Sequence, residues 1–420
     1  MSQEENRPPS QNHKNSKSSS LNSDTNSADP KKVPKRVNNV NSPSTNESRS
    51  ISVNGNLQKS VVVTGNNNHI KQIIQLYKSK VESGVDDSAL QRQIREYLVW
   101  VKERFGTVEL RGIHREGHQV IQLNLETMYV PLTAISGGGN REINLSNILG
   151  LGTKLIVTGG PGSGKTTVLQ HIAWTLANAL IVNRSSIAAQ NLGLKIARGK
   201  QSLQLPLPIF VPLSAYAQSR LRNSQQDRTL ATFITYYLIE KQSALNLPKD
   251  FFAQLLDSGK GVILLLDGLD EVPDEHERIA IREAIENLVT GRPNLWVIVT
   301  CRTAAYRNRT ALGKGFLEVF VKPLDESHIE ALVEQAYSAI YPSDVTTRQT
   351  KVNELLVSIR NMESERRQRL GNSVERLIDS PLMVRMLLIV HLSERHLPEH
   401  RAELYMRTTD TMLWPEHTLD

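Results

Sequence analysis

The chain has 420 residues, 39% of them hydrophobic, and is long enough for two or three globular domains. A single cysteine, Cys301, excludes a disulfide framework, and the polar first residues and the lack of a long apolar run predict a cytoplasmic protein without a membrane span. The formal net charge is +7, but residues 1–60 hold nine Lys and Arg against five Asp and Glu. More than half of the excess therefore lies in that stretch, and a nucleic-acid partner is not favoured.

The N-terminal part divides into two segments. Residues 1–56 are rich in Ser, Asn, Pro and Lys, and the first aromatic residue of the chain is Tyr77. Such a segment buries too little apolar surface to offset its ordering entropy, so we predict a disordered tail. In residues 57–150 helical spacing gives way to extended stretches such as 110–113 and 130–132. We predict a helical and extended segment that leads into the next domain.

A glycine-rich stretch follows the apolar run 154–158 and precedes a helical pattern at 167–182. It fits the pattern G-x-x-x-x-G-K-[ST], and strand, loop and helix in that order are the context that this pattern requires. Glycines let successive backbone N–H groups point at phosphates, and the helix N-terminus adds partial positive charge. Lys165 then reaches the β- and γ-phosphates, and the Thr166 hydroxyl is a ligand for Mg²⁺. The predicted nucleotide-binding residues are Gly159, Gly160, Pro161, Gly162, Ser163, Gly164, Lys165, Thr166 and Thr167.

An acidic motif ends the apolar run 261–266. Asp267 is predicted to hold Mg²⁺, which bridges the β- and γ-oxygens. Asp270 and Glu271 follow, and three acids at one strand end repel one another unless a cation or a catalytic task requires them. Many P-loop ATPases place the catalytic glutamate directly after the magnesium aspartate, but Gly268 stands there in this chain. The water-orienting role therefore falls on Asp270 or Glu271, with Asp270 preferred, and hydrolysis is expected to be slow.

A third motif, the run 296–302, ends in Thr-Cys-Arg. It places Arg302 at the ligand edge of the sheet, where a fork-shaped guanidinium suits the γ-phosphate. A surface arginine in a salt bridge is the alternative.

The spacing of apolar runs predicts the fold class. Runs without polar alternation, separated by helical patterns, argue for a parallel sheet that is buried on both faces. We therefore predict an α/β fold, a P-loop NTPase with a doubly wound parallel sheet, over residues 151–323. Its expected strands are 155–158, 209–213, 262–266, 296–300 and 317–321. Beyond them, a small helical domain is predicted at 324–420, with helices at 325–339, 351–362, 373–379, 381–392 and 398–413.

The glycine loop, the acidic motif 267–272 and the motif 300–302 together resemble the NACHT branch of the STAND signal-transduction P-loop NTPases. The resemblance covers about residues 95–415, and the acidic motif is its most specific part. It implies that ATP and ADP bind with Mg²⁺, and that Pro381 packs on the adenine.

The resemblance also implies a molecular switch. In this family, bound ADP holds a closed monomer, exchange for ATP permits a homo-oligomer, and hydrolysis resets the module; an attached effector is activated by proximity. Bacterial members often act in defence against phage or in regulation. The winged-helix domain of the family would begin near Asp420, and neither an effector enzyme nor sensor repeats are recognisable. A fragment, a truncated product, and a module with separate effector and sensor proteins all stay open.

Two other functions stay open as well. One is a scaffold that holds nucleotide without hydrolysing it. The absence of a glutamate directly after Asp267 permits this function. The other, suggested only by the basic tail, is a nucleic-acid-associated ATPase.

Overall fold

A computed structural model describes residues 68–80, 86–115, 119–137, 141–195, 204–222, 229–241, 246–313, 315–371, 374–392, 401–413 and 418–419. All of them lie in one unit, residues 57–420. The tail predicted at 1–56 lies outside the described residues, so its disorder stays a prediction.

Ten strands and thirteen α-helices are present in the described part of the chain. The strands are β1 Thr107–Arg115, β2 Gln119–Asn124, β3 Thr133–Ser136, β4 Arg141–Asn144, β5 Lys154–Gly159, β6 Leu207–Pro212, β7 Val262–Asp267, β8 Trp296–Arg302, β9 Leu317–Val321 and β10 Thr418–Leu419. The helices are α1 Asn68–Lys78, α2 Asp87–Phe105, α3 Leu125–Met128, α4 Lys165–Ile181, α5 Ser185–Leu192, α6 Leu213–Arg222, α7 Leu230–Tyr236, α8 Phe251–Ser258, α9 Glu275–Val289, α10 Glu326–Ile340, α11 Val345–Leu370, α12 Pro381–Leu392 and α13 Arg401–Leu413.

Seven of the strands form one sheet, in the order β4-β3-β9-β5-β8-β7-β6. The five predicted strands, β5 to β9, are all present and pair in parallel. Every residue of β7 is buried, which explains why it is an unbroken apolar run ending in one acid. β3 and β4 extend the sheet beyond β9 and run antiparallel. The sheet is therefore mostly parallel, and two of its strands come from before residue 151.

Helix α4, which follows the glycine loop, is held between the sheet and α2. The ammonium of Lys102 on α2 donates to the side chain of Asn178 at 2.9 Å and lies 5.8 Å from the ring centroid of Trp174. Leu98 and Val101, also on α2, are buried. Residues that precede the sheet thus hold the helix whose first residue is Lys165.

The region after β9 is helical in its described residues, as predicted, with α10 to α13 and the short strand β10. Helix α12 begins at Pro381, the position where a missing N–H costs nothing. Helix α11 is longer than the predicted 351–362. Of the predicted segment 398–413, the part before Arg401 lies outside the described residues. Within the described part of the chain, every helix is too short or too polar to cross a membrane.

The helix predicted at 373–379 is wrong for the described residues 374–379, which have no regular structure. The backbone N–H groups of Leu377 and Ile378 donate to the carboxylate of Glu363, at 2.8 and 3.0 Å. The carbonyl of Asp379 accepts the N–H of Leu324 at 2.9 Å. These long-range partners satisfy the backbone groups in place of helical hydrogen bonds.

Candidate functional site

The glycine loop joins β5 to α4 at the carboxyl edge of the sheet. Gly162 and Gly164 have φ of 69° and 86°, a region that side chains with a Cβ rarely adopt, and Gly164 is the N-cap of α4. Lys165 folds back over this loop. Its ammonium donates to the carbonyls of Gly159 at 3.1 Å and Gly160 at 2.8 Å. The loop therefore concentrates backbone dipoles and one cation at a helix N-terminus.

Lys165 lies in surroundings that exclude much of the water. Burial lowers the pKa of Lys165, and the nearby charge of Asp270 acts in the opposite direction. A partly desolvated ammonium gains more from an anionic ligand than an exposed one does, because less solvent screens the pair.

Two hydroxyls converge on the carboxylate of Asp267, at the end of β7. Its Oδ1 accepts from Thr300 Oγ1 at 2.6 Å and from Thr166 Oγ1 at 3.2 Å. The side chain is buried, and this burial raises the pKa of Asp267, which the two hydroxyl donors oppose. Thr166 is the second residue of α4, so loop and acid are adjacent, as predicted.

The donor set around Asp267 fits Mg²⁺. Magnesium is commonly held through one or two carboxylates, a hydroxyl, water and substrate phosphates. Asp267 and Thr166 supply hard oxygen ligands side by side. No group of three or more His, Cys, Asp or Glu that could hold a metal occurs among the described residues, so any metal here depends on phosphate and water for its other ligands.

The acidic turn after Asp267 depends on a glycine. Gly268 has φ of 74°, and a Cβ at this position would lie 2.7 Å from the carboxyl carbon of Glu271. Its N–H donates to Thr300 Oγ1 at 2.8 Å. The chain can therefore turn back on itself here and bring three acids together.

Asp270 and Glu271 have different partners. Oδ1 of Asp270 accepts the backbone N–H of Arg302 at 2.8 Å, and Oδ2 accepts Nε of the same residue at 2.9 Å. Oε2 of Glu271 accepts from Ser214 Oγ at 3.4 Å. Burial raises the pKa of Glu271, with further contributions from the charges of Asp267 and Asp270. Both acids line the cavity, but both oxygens of Asp270 are engaged by Arg302, the predicted γ-phosphate sensor.

These groups line one cavity of about 360 Å³, within the size range of small-ligand sites. Of the predicted residues, 162–167, Asp267, Asp270, Glu271, Arg302 and Pro381 line it, whereas 159–161 lie outside the lining. Gly268, Thr300 and Arg385 also line it. The remaining wall is apolar and was not predicted: Val108, Leu125, Met128, Leu332, Leu382, Val384 and Leu388. These residues come from four separate elements and form no motif, so the sequence offered no signal for them.

The glycine loop and α12 are in direct contact. The N–H of Leu382 donates to the carbonyl of Gly162 at 3.3 Å, and a Cβ at Gly162 would lie 2.5 Å from the Cβ of Leu382. Pro381 also contacts the loop, since a Cβ at Gly164 would lie 3.6 Å from its Cγ. The helical region therefore closes one side of the cavity.

Gly162→Ala is expected to destabilise the protein more than Gly291→Ala. Both positions have positive φ, which costs a residue with a Cβ about 1–2 kcal/mol. Only the Gly162 variant also meets Leu382, since a Cβ at Gly291 has no atom within 4 Å. We expect Gly162→Ala to lose roughly 1–3 kcal/mol beyond the control, as overpacking does. Urea unfolding measures the free energy of unfolding of both variants. Equal losses of stability would mean that α12 does not contact the loop at Gly162.

Comparison with known proteins gives a family match and structural neighbours. The family model for the NACHT domain matches residues 186–339, which include the acidic turn and Arg302 and begin after the glycine loop. Among solved structures, AMPPCP-bound DnaA from Aquifex aeolicus is 14% identical; the match covers 64% of this chain and 82% of that chain, with a TM-score of 0.28. A search of curated proteins found no match.

Proposed function

From a chain that carries a NACHT domain on a P-loop NTPase fold, we propose an ATP-binding switch that hydrolyses ATP slowly and forms a homo-oligomer when activated. Separate proteins or other segments would supply the effector and the sensor that binds the ligand. A role in bacterial defence or regulation is consistent with the resemblance described above.

One observation carries the proposal: Lys165, Thr166 and Asp267 face the same cavity. The ammonium and the loop N–H groups would bind the β- and γ-phosphates, and Thr166 and Asp267 would hold Mg²⁺. The ion would neutralise charge on the phosphate oxygens. A cation, a helix N-terminus and a magnesium site in one cavity are specific for a nucleoside polyphosphate.

The apolar wall supports a purine next to these phosphates. Met128 of α3, Leu332 of α10, and Pro381 and Leu388 of α12 all line the cavity. Flat apolar surfaces are suited to a base, whereas a free phosphate or pyrophosphate gains nothing from them. We assign the base to adenine on the NACHT resemblance.

For hydrolysis we assign the water-orienting role to Glu271 and a positioning role to Asp270. Asp270 already accepts two hydrogen bonds from Arg302, so it is suited to aiming the guanidinium at the γ-phosphate. Glu271 keeps a carboxylate with a raised pKa at the cavity, which favours proton acceptance from an attacking water. This reverses the preference for Asp270 that the sequence alone suggested.

Calorimetric titration of the full chain with ATP and ADP in Mg²⁺, with GTP as a base control, tests the binding proposal. Multiple-turnover phosphate release, with Asp267→Ala as the blank, tests hydrolysis, and light scattering with and without ATP tests assembly. Binding without turnover would favour the non-hydrolysing scaffold. That alternative draws on Gly268, which stands where many ATPases have their catalytic glutamate.

A further inference from the structure

Glu363 on α11 is a buried acid that does not line the nucleotide cavity. Its exposed fraction is 8%, and acids are seldom buried unless their oxygens have partners. Its Oε1 accepts the N–H of Leu377 at 2.8 Å and the N–H of Ile378 at 3.0 Å. One side chain thus replaces the hydrogen bonds that a helix would have given this segment.

The segment held by Glu363 leads directly to the nucleotide cavity. Leu377 and Ile378 are buried, and Ser380, which follows closely, is buried too. Helix α12 then begins with Pro381, which lines the cavity, and Leu382, which donates to the loop carbonyl of Gly162 at 3.3 Å. Only residues 379–381 separate Ile378 from Leu382, so the Glu363 hydrogen bonds lie close in the chain to the loop contact.

We propose that Glu363 is a positioning residue that fixes Pro381 and Leu382 against the glycine loop and thereby sets nucleotide affinity. The proposal rests on the proposed nucleotide-binding function. Loss of the carboxylate leaves two buried N–H groups without an acceptor, so segment 377–378 must move to find water. That movement carries the start of α12 away from the phosphate loop. By linkage, nucleotide bound at the loop favours the arrangement in which Glu363 keeps both hydrogen bonds.

The test compares Glu363→Ala with Glu365→Ala, an exposed acid on the same helix. Titration with Mg²⁺ and ATP should give a dissociation constant about tenfold higher in Glu363→Ala and no change in Glu365→Ala. Glu363→Gln keeps an oxygen acceptor and should recover most of the affinity. The turnover number at saturating ATP should stay within about twofold, because the reacting groups are untouched. A purely structural residue would lower the melting temperature without separating affinity from turnover in this way.

Unchanged affinity in Glu363→Ala, or a loss that Glu363→Gln does not reverse, would overturn the inference. If Glu363→Ala does not fold, hydrogen exchange on the wild-type chain decides. Added ATP with Mg²⁺ should slow exchange at the amides of Leu377 and Ile378, and unchanged exchange there would reject the link. Failure of the wild-type chain to bind ATP would instead reject the proposed function, and this inference with it.

Discussion

Lys165→Ala is expected to raise the dissociation constant for ATP by about a hundredfold or more. Hydrogen bonds to charged groups contribute ~1.5–3 kcal/mol each, and one ammonium can contact both the β- and the γ-phosphate. Because Lys165 is partly buried, little solvent screens the attraction between its ammonium and the phosphates. Isothermal titration with Mg²⁺ and ATP measures the loss.

The fold should survive this change. Burial lowers the pKa of Lys165, so its charged form is disfavoured by its surroundings, and the melting temperature of the variant should stay close to that of the wild-type chain. Lys249→Ala is the matched control, since Lys249 is exposed and does not line the cavity. ATP affinity that is equal in the Lys165 and Lys249 variants would refute the proposed phosphate site.

Glu271→Gln is expected to leave ATP affinity within a few-fold and to lower the hydrolysis rate by on the order of 10²–10⁴. The amide keeps the size and the contact with Ser214 but cannot accept a proton from water. Single-turnover phosphate release measures the rate, and Glu275→Gln, an exposed acid outside the cavity lining, is the control.

Asp270→Asn distinguishes the role of Asp270 from that of Glu271. Its oxygen can still accept the backbone N–H of Arg302, but the charge that pairs with the guanidinium is lost. We expect a smaller fall in rate than in Glu271→Gln, together with weaker discrimination between ATP and ADP. A larger fall in Asp270→Asn than in Glu271→Gln would return the water-orienting role to Asp270.

The sequence predicted the core of the fold because that core depends on local patterns. The five parallel strands are buried on both faces, so each is an apolar run, and the glycine loop and the acidic turn follow two of those runs directly. The family match over residues 186–339 confirms the resemblance that these motifs indicated. Pro381 at the start of α12 was predicted because a proline at a first helical position is itself a local signal.

Two parts of the architecture were missed for the opposite reason. β3 and β4 are short strands at one end of a sheet built mainly from later residues, and the pairing of β3 with β9 has no local pattern. The sequence of the segment 374–379 has a helical pattern. In the structure, however, Glu363, more than ten positions earlier, accepts hydrogen bonds from two of its backbone N–H groups. A window of neighbouring residues contains neither β9, the partner of β3, nor Glu363, the partner of this segment.

The sequence by itself determined the glycine loop, the acid that ends β7 and the sheet that brings them together, because each is specified by adjacent residues. Only the tertiary structure decided the apolar wall of the cavity, the closure of α12 on Gly162 and the pairing of Asp270 with Arg302. The physical reason is that these contacts join residues far apart in the chain, whose geometry depends on packing and not on spacing.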